Sequence, residues 1–440
     1  MIAQSKFKKP SAKLAAVASK RLDEKRYEGK LACGMKFVFA PRKGFDKKLA
    51  FVVSDYGSLD REWKNDGKHI VVPDGIAHFL EHQLFKKQRG DMTDEFSSRG
   101  AYTNAHTSHT MTAFYFECVK NFEENLTTLL ELGLTPYFDP QLVNTERAII
   151  IQEINQYRDN PNWVGYQQLL ETLYVNYPLR VDIAGTAETV GKITPELLHL
   201  CHSTFYHPSN LTLVITGDFA PAAIHKLADK IANRYAPSTP APRLTRIRPD
   251  EPARTTRPRT EKRMTLARPR FLLGFKDLAG NDGRDLLKTE LATALALDAL
   301  FSRESETYDR MYKSGLIGGD FGAAFQAEAG FGYAILGGET KDPAKLEAEL
   351  KATLAGATKD GIDAAVIERK KRKFLGRYLR NFNDPESTAY SYLSAMGQHS
   401  DLFDFPEVLE ALTPQDVHIR VRDFFDPTNS AISVLLPMGK

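Results

Sequence analysis

The sequence predicts an α+β fold with two duplicated domains, each built on a largely antiparallel sheet flanked by helices. Two stretches repeat at a constant spacing, and a segment rich in Pro and Arg divides the 440-residue chain nearly in half. Strand and helix patterns alternate irregularly and several strands look hairpin-linked, which favours antiparallel sheets over a doubly wound parallel sheet. A chain of this length is also too long for one ordinary hydrophobic core.

The repeat is seen when ITPELLHLCHSTFYHPSNLTLVITG is compared with LTPQDVHIRVRDFFDPTNSAISVLLP. Five identical residues recur 219 positions apart without a gap, which indicates a duplicated domain of about 220 residues. In both copies Thr-Pro opens a helix, a Phe-x-x-Pro turn follows, and a strand comes next. The identical pairs are Thr194 and Thr413, His199 and His418, Phe205 and Phe424, Pro208 and Pro427, and Asn210 and Asn429.

Hydrophobic patterning predicts the remaining elements. Strands are predicted at KFVFAP, KLAFVVSDYG and MTAFYFECV, in addition to LTLVIT and AISVLL in the repeat. Helices are predicted over residues 74–87, 121–134, 140–158, 193–204, 220–234, 286–301, 343–355 and 362–380.

Composition sets the predicted domain boundaries. Residues 1–22 lack acidic side chains and predict a disordered basic tail, with an organellar transit peptide as the alternative. Residues 23–236 form the first predicted domain and residues 263–440 the second. Residues 237–262 are rich in Pro, Arg and Thr, which predicts an extended, exposed linker.

Charge and cysteine usage exclude several classes of protein. The 59 basic and 56 acidic residues nearly balance, so nothing argues for a nucleic-acid partner. No apolar run approaches the ~18–20 residues of a membrane span, and no signal-peptide core is present. Cys33, Cys118 and Cys201 are odd in number and widely spaced, which predicts a reducing compartment. We expect a bacterial cytoplasm, with an organellar matrix as the second choice.

The stretch HFLEH, residues 78–82, is the first candidate for chemistry. On the predicted helix, His78 and His82 lie four residues apart and share a face, so both imidazoles can reach one ion. Asp74 and Gly75 offer a capped start for this helix. Glu81 borders the same face, where it can accept a proton from a metal-activated water. The alternative is a polar helix face with incidental histidines.

A third metal ligand is predicted in NTERAIIIQEINQYRDNP, residues 144–161. Glu146 and Glu153 lie two helical turns apart and share one face of an otherwise apolar helix. We assign Glu153 as the third ligand and Glu146 as the residue that orients a histidine or supports the water. Two solvated glutamates on an amphipathic helix are the alternative.

Together these motifs resemble the pitrilysin-like inverzincin metallopeptidases, the family of insulin-degrading enzyme and the mitochondrial processing peptidase. HFLEH is followed after seventy residues by Glu153, and ERAIIIQEI is similar to the family's second metal helix. SSRGAYTNAHTSHT, residues 97–110, is similar to its Gly-Ala-x-x-Asn-Ala-x-Thr segment. TFYHPSNLTLVITGDF resembles the end of the family's domain, and the likeness to small bacterial two-domain members spans nearly the whole chain.

The resemblance implies a zinc endopeptidase that cleaves peptides or small unfolded polypeptides within a clam-like half shell. One Zn²⁺ ion would be the cofactor, and extended peptides would add a strand to the edge of the first sheet. The residues that carry over are His78, His82 and Glu153 as metal ligands, Glu81 as the general base, Glu146 as a supporting residue, and Asn104 and Ala105 on the substrate-pairing edge strand.

The second copy departs from the metal motif. The counterpart of HFLEH is ALALDALF, residues 294–301, which contains neither His nor Glu. Aligning NDP at 383–385 with DNP at 159–161 places Arg377 opposite Glu153. We therefore expect no metal in the second domain, which would close over the substrate.

A further departure concerns the oxyanion donors. By resemblance, active members carry an Arg and a Tyr seven residues apart around a Gly-Leu pair, but here YDRMYKSGLIGG (308–319) places Met311 and Gly318 at those positions. Arg310 and Tyr312 lie nearby, yet a one-residue slip on a helix turns a side chain by about 100°. We therefore expect a heterodimer whose homologous partner lacks the zinc motif and supplies the pair. The alternatives are a self-sufficient homodimeric peptidase and a non-catalytic structural subunit.

Other histidines are predicted to be structural. His199 and His202 lie three residues apart on a helix and could share an ion, but His199 recurs as His418 in the second copy without the neighbouring Cys201. His207 fits a turn before Pro208. His106 and His109 follow the edge strand, where surface or wall positions are favoured over the lining of a cleft.

Overall fold

The computed structural model describes residues 14–277 and 282–438. Within these ranges the helices are α1 Ile76–Leu84, α2 Met92–Ser98, α3 Phe122–Leu134, α4 Pro140–Arg158, α5 Pro161–Leu173, α6 Ala187–Gly191, α7 Pro195–Phe205, α8 Pro221–Tyr235, α9 Gly283–Phe301, α10 Glu306–Lys313, α11 Pro343–Asp360, α12 Ala364–Arg380, α13 Pro385–Gly397, α14 Phe405–Ala411 and α15 Pro414–Phe424.

The strands of the same ranges are β1 Ala15–Ser19, β2 Glu24–Lys30, β3 Lys36–Pro41, β4 Lys48–Ser54, β5 Glu62–Asn65, β6 Lys68–Val71, β7 Lys86–Lys87, β8 Gly90–Asp91, β9 Tyr102–Thr107, β10 Thr112–Cys118, β11 Leu211–Gly217, β12 Leu244–Arg246, β13 Arg259–Met264, β14 Arg270–Asp277, β15 Gly322–Glu328, β16 Phe331–Glu339 and β17 Ser430–Pro437. No helix in the described part of the chain is long and apolar enough to cross a membrane.

The chain divides into two compact units that interleave along the sequence. The first contains Met1–Gln152, Ile183–Ile247 and Asn381–Tyr392, and the second contains the remaining residues. The first boundary falls within α4, which is one unbroken helix. The predicted domains, residues 23–236 and 263–440, therefore remain a prediction about which two segments of the chain are homologous.

The first unit is built on a seven-stranded sheet in the order β1-β2-β3-β11-β4-β10-β9. The β3–β11 pair is parallel, and the other pairs are antiparallel. The central strand β4 reads KLAFVVS and is buried along almost its whole length, as expected for a strand covered on both faces. Strand β9 lies at the edge and is more exposed.

The second unit is built on a five-stranded sheet in the order β13-β17-β14-β16-β15. Again one pair, β13–β17, is parallel and the others are antiparallel. Helix α5 packs on β14 and β17. A Cβ atom at Gly274 would lie 2.8 Å from Leu173 Cδ1, so glycine permits this close approach of helix and strand.

The two sheets confirm the predicted α+β fold with duplicated, largely antiparallel sheets. The order β3-β11-β4-β10-β9 matches β13-β17-β14-β16-β15, both in the order of the strands along the chain and in their parallel or antiparallel pairing. Helices α7 and α15 begin 219 residues apart, and Thr194 and Thr413 cap them by accepting hydrogen bonds from backbone N–H groups. The repeat seen in the sequence is therefore a repeat of structure.

Two predicted segments differ from their expected state. Residues 1–13 of the predicted tail lie outside the described residues, but residues 15–19 of the tail pair with β2 as a strand. In the predicted linker, β12 pairs with β5 and β13 pairs with β17. Composition does not encode strand pairing: β1 joins the next strand along the chain, whereas the partners of β12 and β13 lie far away in sequence.

Candidate metal centre

Helix α1 is placed by a close backbone approach at its first turn. Gly75 is the N-cap residue with φ 90°, and no side chain caps the helix, so the predicted role of Asp74 in the cap is wrong. Asp74 instead pairs with Arg61 at 3.1 Å. A Cβ atom on Gly75 would lie 2.4 Å from the carbonyl oxygen of Ala184, and one on Gly185 would lie 2.6 Å from that of Asp74. Only glycine fits both positions.

Helix α1 has one face that packs in the core and another face that carries the two histidines. Phe79 and Leu80 are fully buried, whereas His78 and His82 are half-buried on the other face. The two imidazole rings lie 4.6 Å apart between centroids. The predicted shared face of His78 and His82 is therefore present.

Helix α4 supplies two carboxylates next to these imidazoles. Glu146 Oε1 lies 2.9 Å from His82 Nδ1, and Glu146 Oε2 lies 3.6 Å from Lys86 Nζ. Lys86 also pairs with Asp91 at 2.8 Å. Burial opposes ionisation of Glu146, but the contacts with His82 and Lys86 lower its pKa below the ordinary value. When His82 donates from Nδ1, its Nε2 atom is the one that can bind a metal.

His78, His82 and Glu153 bring their ligand atoms together. These atoms all lie within 4.8 Å of one another, and in the described part of the chain no other set of three His, Cys, Asp or Glu side chains converges in this way. Two imidazoles and a carboxylate are the donor set of catalytic zinc sites that keep a fourth position open. The residues present therefore fit a zinc ion.

The protonation state of His78 suits this chemistry. Burial, and then the neighbouring His82, lower the pKa of His78 to about 3. The imidazole is therefore neutral at neutral pH, which is the form that binds a metal.

Glu81 lies on the same helix and contacts the edge strand. It is mostly buried, and its Oε2 atom accepts a hydrogen bond of 2.5 Å from Thr107 Oγ1. Thr107 ends β9, opposite Thr112 of β10. The sequence pattern identified Glu81 but missed Thr107 as a neighbour, although Thr107 is the last residue of the Asn-Ala-x-Thr segment.

Asn104 and Ala105 lie on β9, as the resemblance implied. Asn104 is exposed, and its Oδ1 atom accepts a hydrogen bond of 2.8 Å from the backbone N–H of Ala105. Among the described residues no strand pairs with the outer edge of β9. The strand therefore has an edge that another extended chain can join.

The second unit has an ion pair at the position that corresponds to Glu146. Lys370 of α12 lies 224 residues after Glu146, the offset that also separates α5 from α13. Its ammonium group contacts Asp298 at 2.7 Å, Glu304 at 2.9 Å and Ser302 at 2.8 Å. Arg377 is exposed. This charge cluster contains no histidine.

The positions aligned with the oxyanion donors carry no such donor. Met311 is packed in the core of the second unit, and Gly318 has no side chain. Arg310 pairs with Glu349 at 3.1 Å, and Tyr312 stacks on Tyr308.

Four other histidines make structural contacts. His202 is buried, and its Nε2 atom lies 3.0 Å from the carbonyl oxygen of Gly133. His199 packs on a Phe ring, and His207 caps the turn that begins at Pro208. His109 is buried against Ser58 at 3.0 Å.

Family models, a sequence relative and a solved structure all connect this chain to one family of peptidases. A family model described as Insulinase (Peptidase family M16) matches residues 65–187, and one described as Peptidase M16 inactive domain matches residues 192–374. The uncharacterized zinc protease YmfH of Bacillus subtilis is 40% identical over 400 residues, which cover 90% of this chain and 93% of that protein. The crystal structure of an M16-like peptidase from Alicyclobacillus acidocaldarius superposes with a TM-score of 0.92 and 32% identity, covering 96% of this chain and 100% of that one. The chain therefore belongs to the pitrilysin-like metallopeptidases of family M16.

Proposed function

We propose that this chain is a zinc-dependent endopeptidase that cleaves peptides or small unfolded polypeptides. The observation that carries the proposal is the convergence of His78, His82 and Glu153, with Glu81 on the same helix as the two histidines. The three convergent residues would hold one Zn²⁺ ion. The relatives named as zinc proteases support the same reading.

The chemistry follows from the positions of the side chains. When bound, zinc polarises the scissile carbonyl and acidifies water. Glu81 accepts the proton of the attacking water and passes it to the leaving nitrogen, so that the C–N bond breaks as the new C–O bond is retained. Glu146 holds His82 in one orientation. The outer edge of β9, at Asn104 and Ala105, pairs with the backbone of an extended substrate.

The proposal includes a partner chain. Met311 and Gly318 leave this chain without donors for the negative oxygen of the tetrahedral intermediate at the aligned positions. Loss of one such donor typically costs about 10²–10³ in rate. We infer a heterodimer with a homologous subunit that lacks H-x-x-E-H and carries the Arg and Tyr. A homodimer in which another group serves as donor is the alternative.

Zinc content and peptide turnover test the proposal. We expect one zinc per chain after metal loading, lost in His78→Ala, and chelator-sensitive cleavage of quenched fluorescent peptides when the partner is present. Glu81→Gln should keep the zinc and lose at least about 10²-fold in rate. A folded chain that binds no zinc would contradict the metal site, and Glu81-dependent turnover by the chain alone would contradict the heterodimer.

A further inference from the structure

We propose that Thr107 is the positioning residue of Glu81, and that its hydroxyl group fixes the orientation in which the carboxylate meets water. This inference rests on the proposed function. Thr107 contacts Glu81 from a different element, since Thr107 ends strand β9 and Glu81 lies on helix α1. The two residues are 26 positions apart in the sequence.

The direction of the hydrogen bond is set by its surroundings. An ionised carboxylate only accepts, so Thr107 donates to Glu81 Oε2 across 2.5 Å. The nearest other hydroxyl group belongs to Thr112, 3.3 Å from Thr107 Oγ1. Thr112 is buried and gives its own proton to the carbonyl oxygen of Tyr56 at 2.8 Å. Thr107 therefore directs its proton to the carboxylate.

This contact distinguishes the two oxygens of Glu81. The oxygen Oε2 is engaged by Thr107, and this contact fixes the plane in which the carboxylate faces the attacking water. A hydrogen bond from a neutral hydroxyl to a charged acceptor is a strong, short contact, and it restricts rotation about the last side-chain bond. Because Thr107 follows Asn104 and Ala105 on one strand, the base is held by the strand that pairs with substrate.

Two substitutions of Thr107 distinguish the effect of its hydroxyl group from the effect of its branched side chain. Thr107→Val keeps the branched side chain and its strand preference but removes the donor. With the partner chain present, we expect kcat to fall about 10- to 100-fold and KM to stay within about twofold of the parent value, because the lost bond is to a charged group. Thr107→Ser restores the donor and should recover most of kcat.

A matched control lies on the same strand. Thr103 donates its hydroxyl proton to the backbone oxygen of Tyr115 at 2.8 Å and does not touch Glu81. Thr103→Val therefore removes one hydroxyl group from β9 without changing the base, and its kcat should stay within about twofold of the parent value. An equal loss of kcat in Thr103→Val and Thr107→Val would show a general effect on β9 and overturn the inference.

A binding measurement tests the same contact without turnover. A peptide hydroxamate binds zinc as an anion after its proton passes to a neighbouring carboxylate, so its affinity reports the state of Glu81. With the zinc-loaded full-length chain, we expect Glu81→Gln and Thr107→Val to weaken hydroxamate binding about tenfold or more, and Thr103→Val and Thr107→Ser to leave it unchanged. Zinc content should be equal in all variants.

The outcomes separate the two proposals. If Glu81→Gln weakens the hydroxamate and Thr107→Val does not, the role of Thr107 is wrong and the proposed peptidase stands. If the parent chain binds zinc but Glu81→Gln changes neither turnover nor hydroxamate affinity, the proposed function fails, and the inference fails with it. If Glu81→Gln and Thr107→Val both weaken hydroxamate binding and Thr107→Ser binds as the parent chain does, both proposals are supported.

Discussion

Glu146 lies outside the proposed ligand set, and its contact with His82 predicts an effect on zinc affinity. Its carboxylate contacts His82 Nδ1 at 2.9 Å and is supported by Lys86. We expect Glu146→Gln to weaken zinc binding about 10- to 100-fold, because partners of this kind fix the tautomer and orientation of the ligand. Competition with a zinc-chelating dye at constant pH measures the affinity. Gln152→Ala, at an exposed position of the same helix, serves as the control, and an unchanged affinity in Glu146→Gln would contradict the role.

The sequence predicted which residues share a face of one helix, but it did not predict contacts between residues on different elements. The spacing of His78 and His82 fixes a common face, and the same holds for Glu146 and Glu153. The contact of Thr107 with Glu81 depends on the packing of α1 against the edge strand, which no local spacing encodes. Likewise, Asp74 matches the composition of an N-cap, but the left-handed backbone of Gly75 sets the start of the helix.

At the scale of the element, the start of α1 depends on two glycines that face each other. We expect Gly75→Ala to lower the free energy of unfolding by more than about 2 kcal/mol, because the new Cβ atom meets the backbone at 2.4 Å and φ is positive. Urea unfolding and zinc affinity measure the effect, and both should fall because α1 carries the histidines. Gly191→Ala is the control, since nothing lies within 4 Å of its Cβ position. Equal stability of the two variants would contradict this account.

The helix that repeats α4 in the second unit, α12, carries different chemistry. In the first unit His82 meets Glu146, and in the second the buried ammonium of Lys370 meets Asp298. Lys370 is stabilised by three oxygen atoms, which satisfies a buried cation. The sequence alignment of the repeat indicated the loss of the metal motif in ALALDALF, but it did not show which contact replaced it.

The connection between the two halves of the repeat is held by a buried ion pair. Glu251 accepts hydrogen bonds from the backbone N–H groups of residues 175, 176 and 177 at 2.7–2.9 Å. It also pairs with the fully buried Lys276 at 2.7 Å. Composition identified this stretch as a linker because it is rich in Pro and Arg. One buried carboxylate does not alter composition, so the pattern gave no sign of it.

For the whole molecule, the sequence predicted central strands and long helices better than their arrangement. Strands β3, β4, β10, β11 and β17 were predicted, because they combine apolar runs with clear turns. Helix α4 was predicted with its observed bounds. Helices α5 and α13 were missed, since their apolar faces are interrupted by polar and small residues. The interleaving of the two units follows from which sheet each helix covers, and that choice is made by long-range packing.

Buried histidines give the whole chain a defined response to acid. Burial lowers the pKa of His202 to about 3 and that of His109 to about 4, from an ordinary value of 6.5. Below pH 6.5 these histidines bind protons in the unfolded chain but remain neutral in the folded chain. Their contribution to the free energy of unfolding is therefore fully present above pH 6.5, and it is lost as the pH falls toward the pKa values of the folded chain. Each such histidine lowers the folding equilibrium constant by about tenfold per pH unit within this window.

Urea unfolding of the metal-free chain between pH 7.5 and pH 5 measures this loss, because zinc release then contributes nothing. We expect His202→Gln, whose amide can still donate to the carbonyl oxygen of Gly133, to unfold with a shallower dependence on pH than the parent chain. Gln152→Ala, at an exposed position, removes no titrating group and should leave the slope unchanged. A parent-like slope in His202→Gln would mean that His202 is protonated without cost in the folded chain, and the acid response would then have to come from other groups.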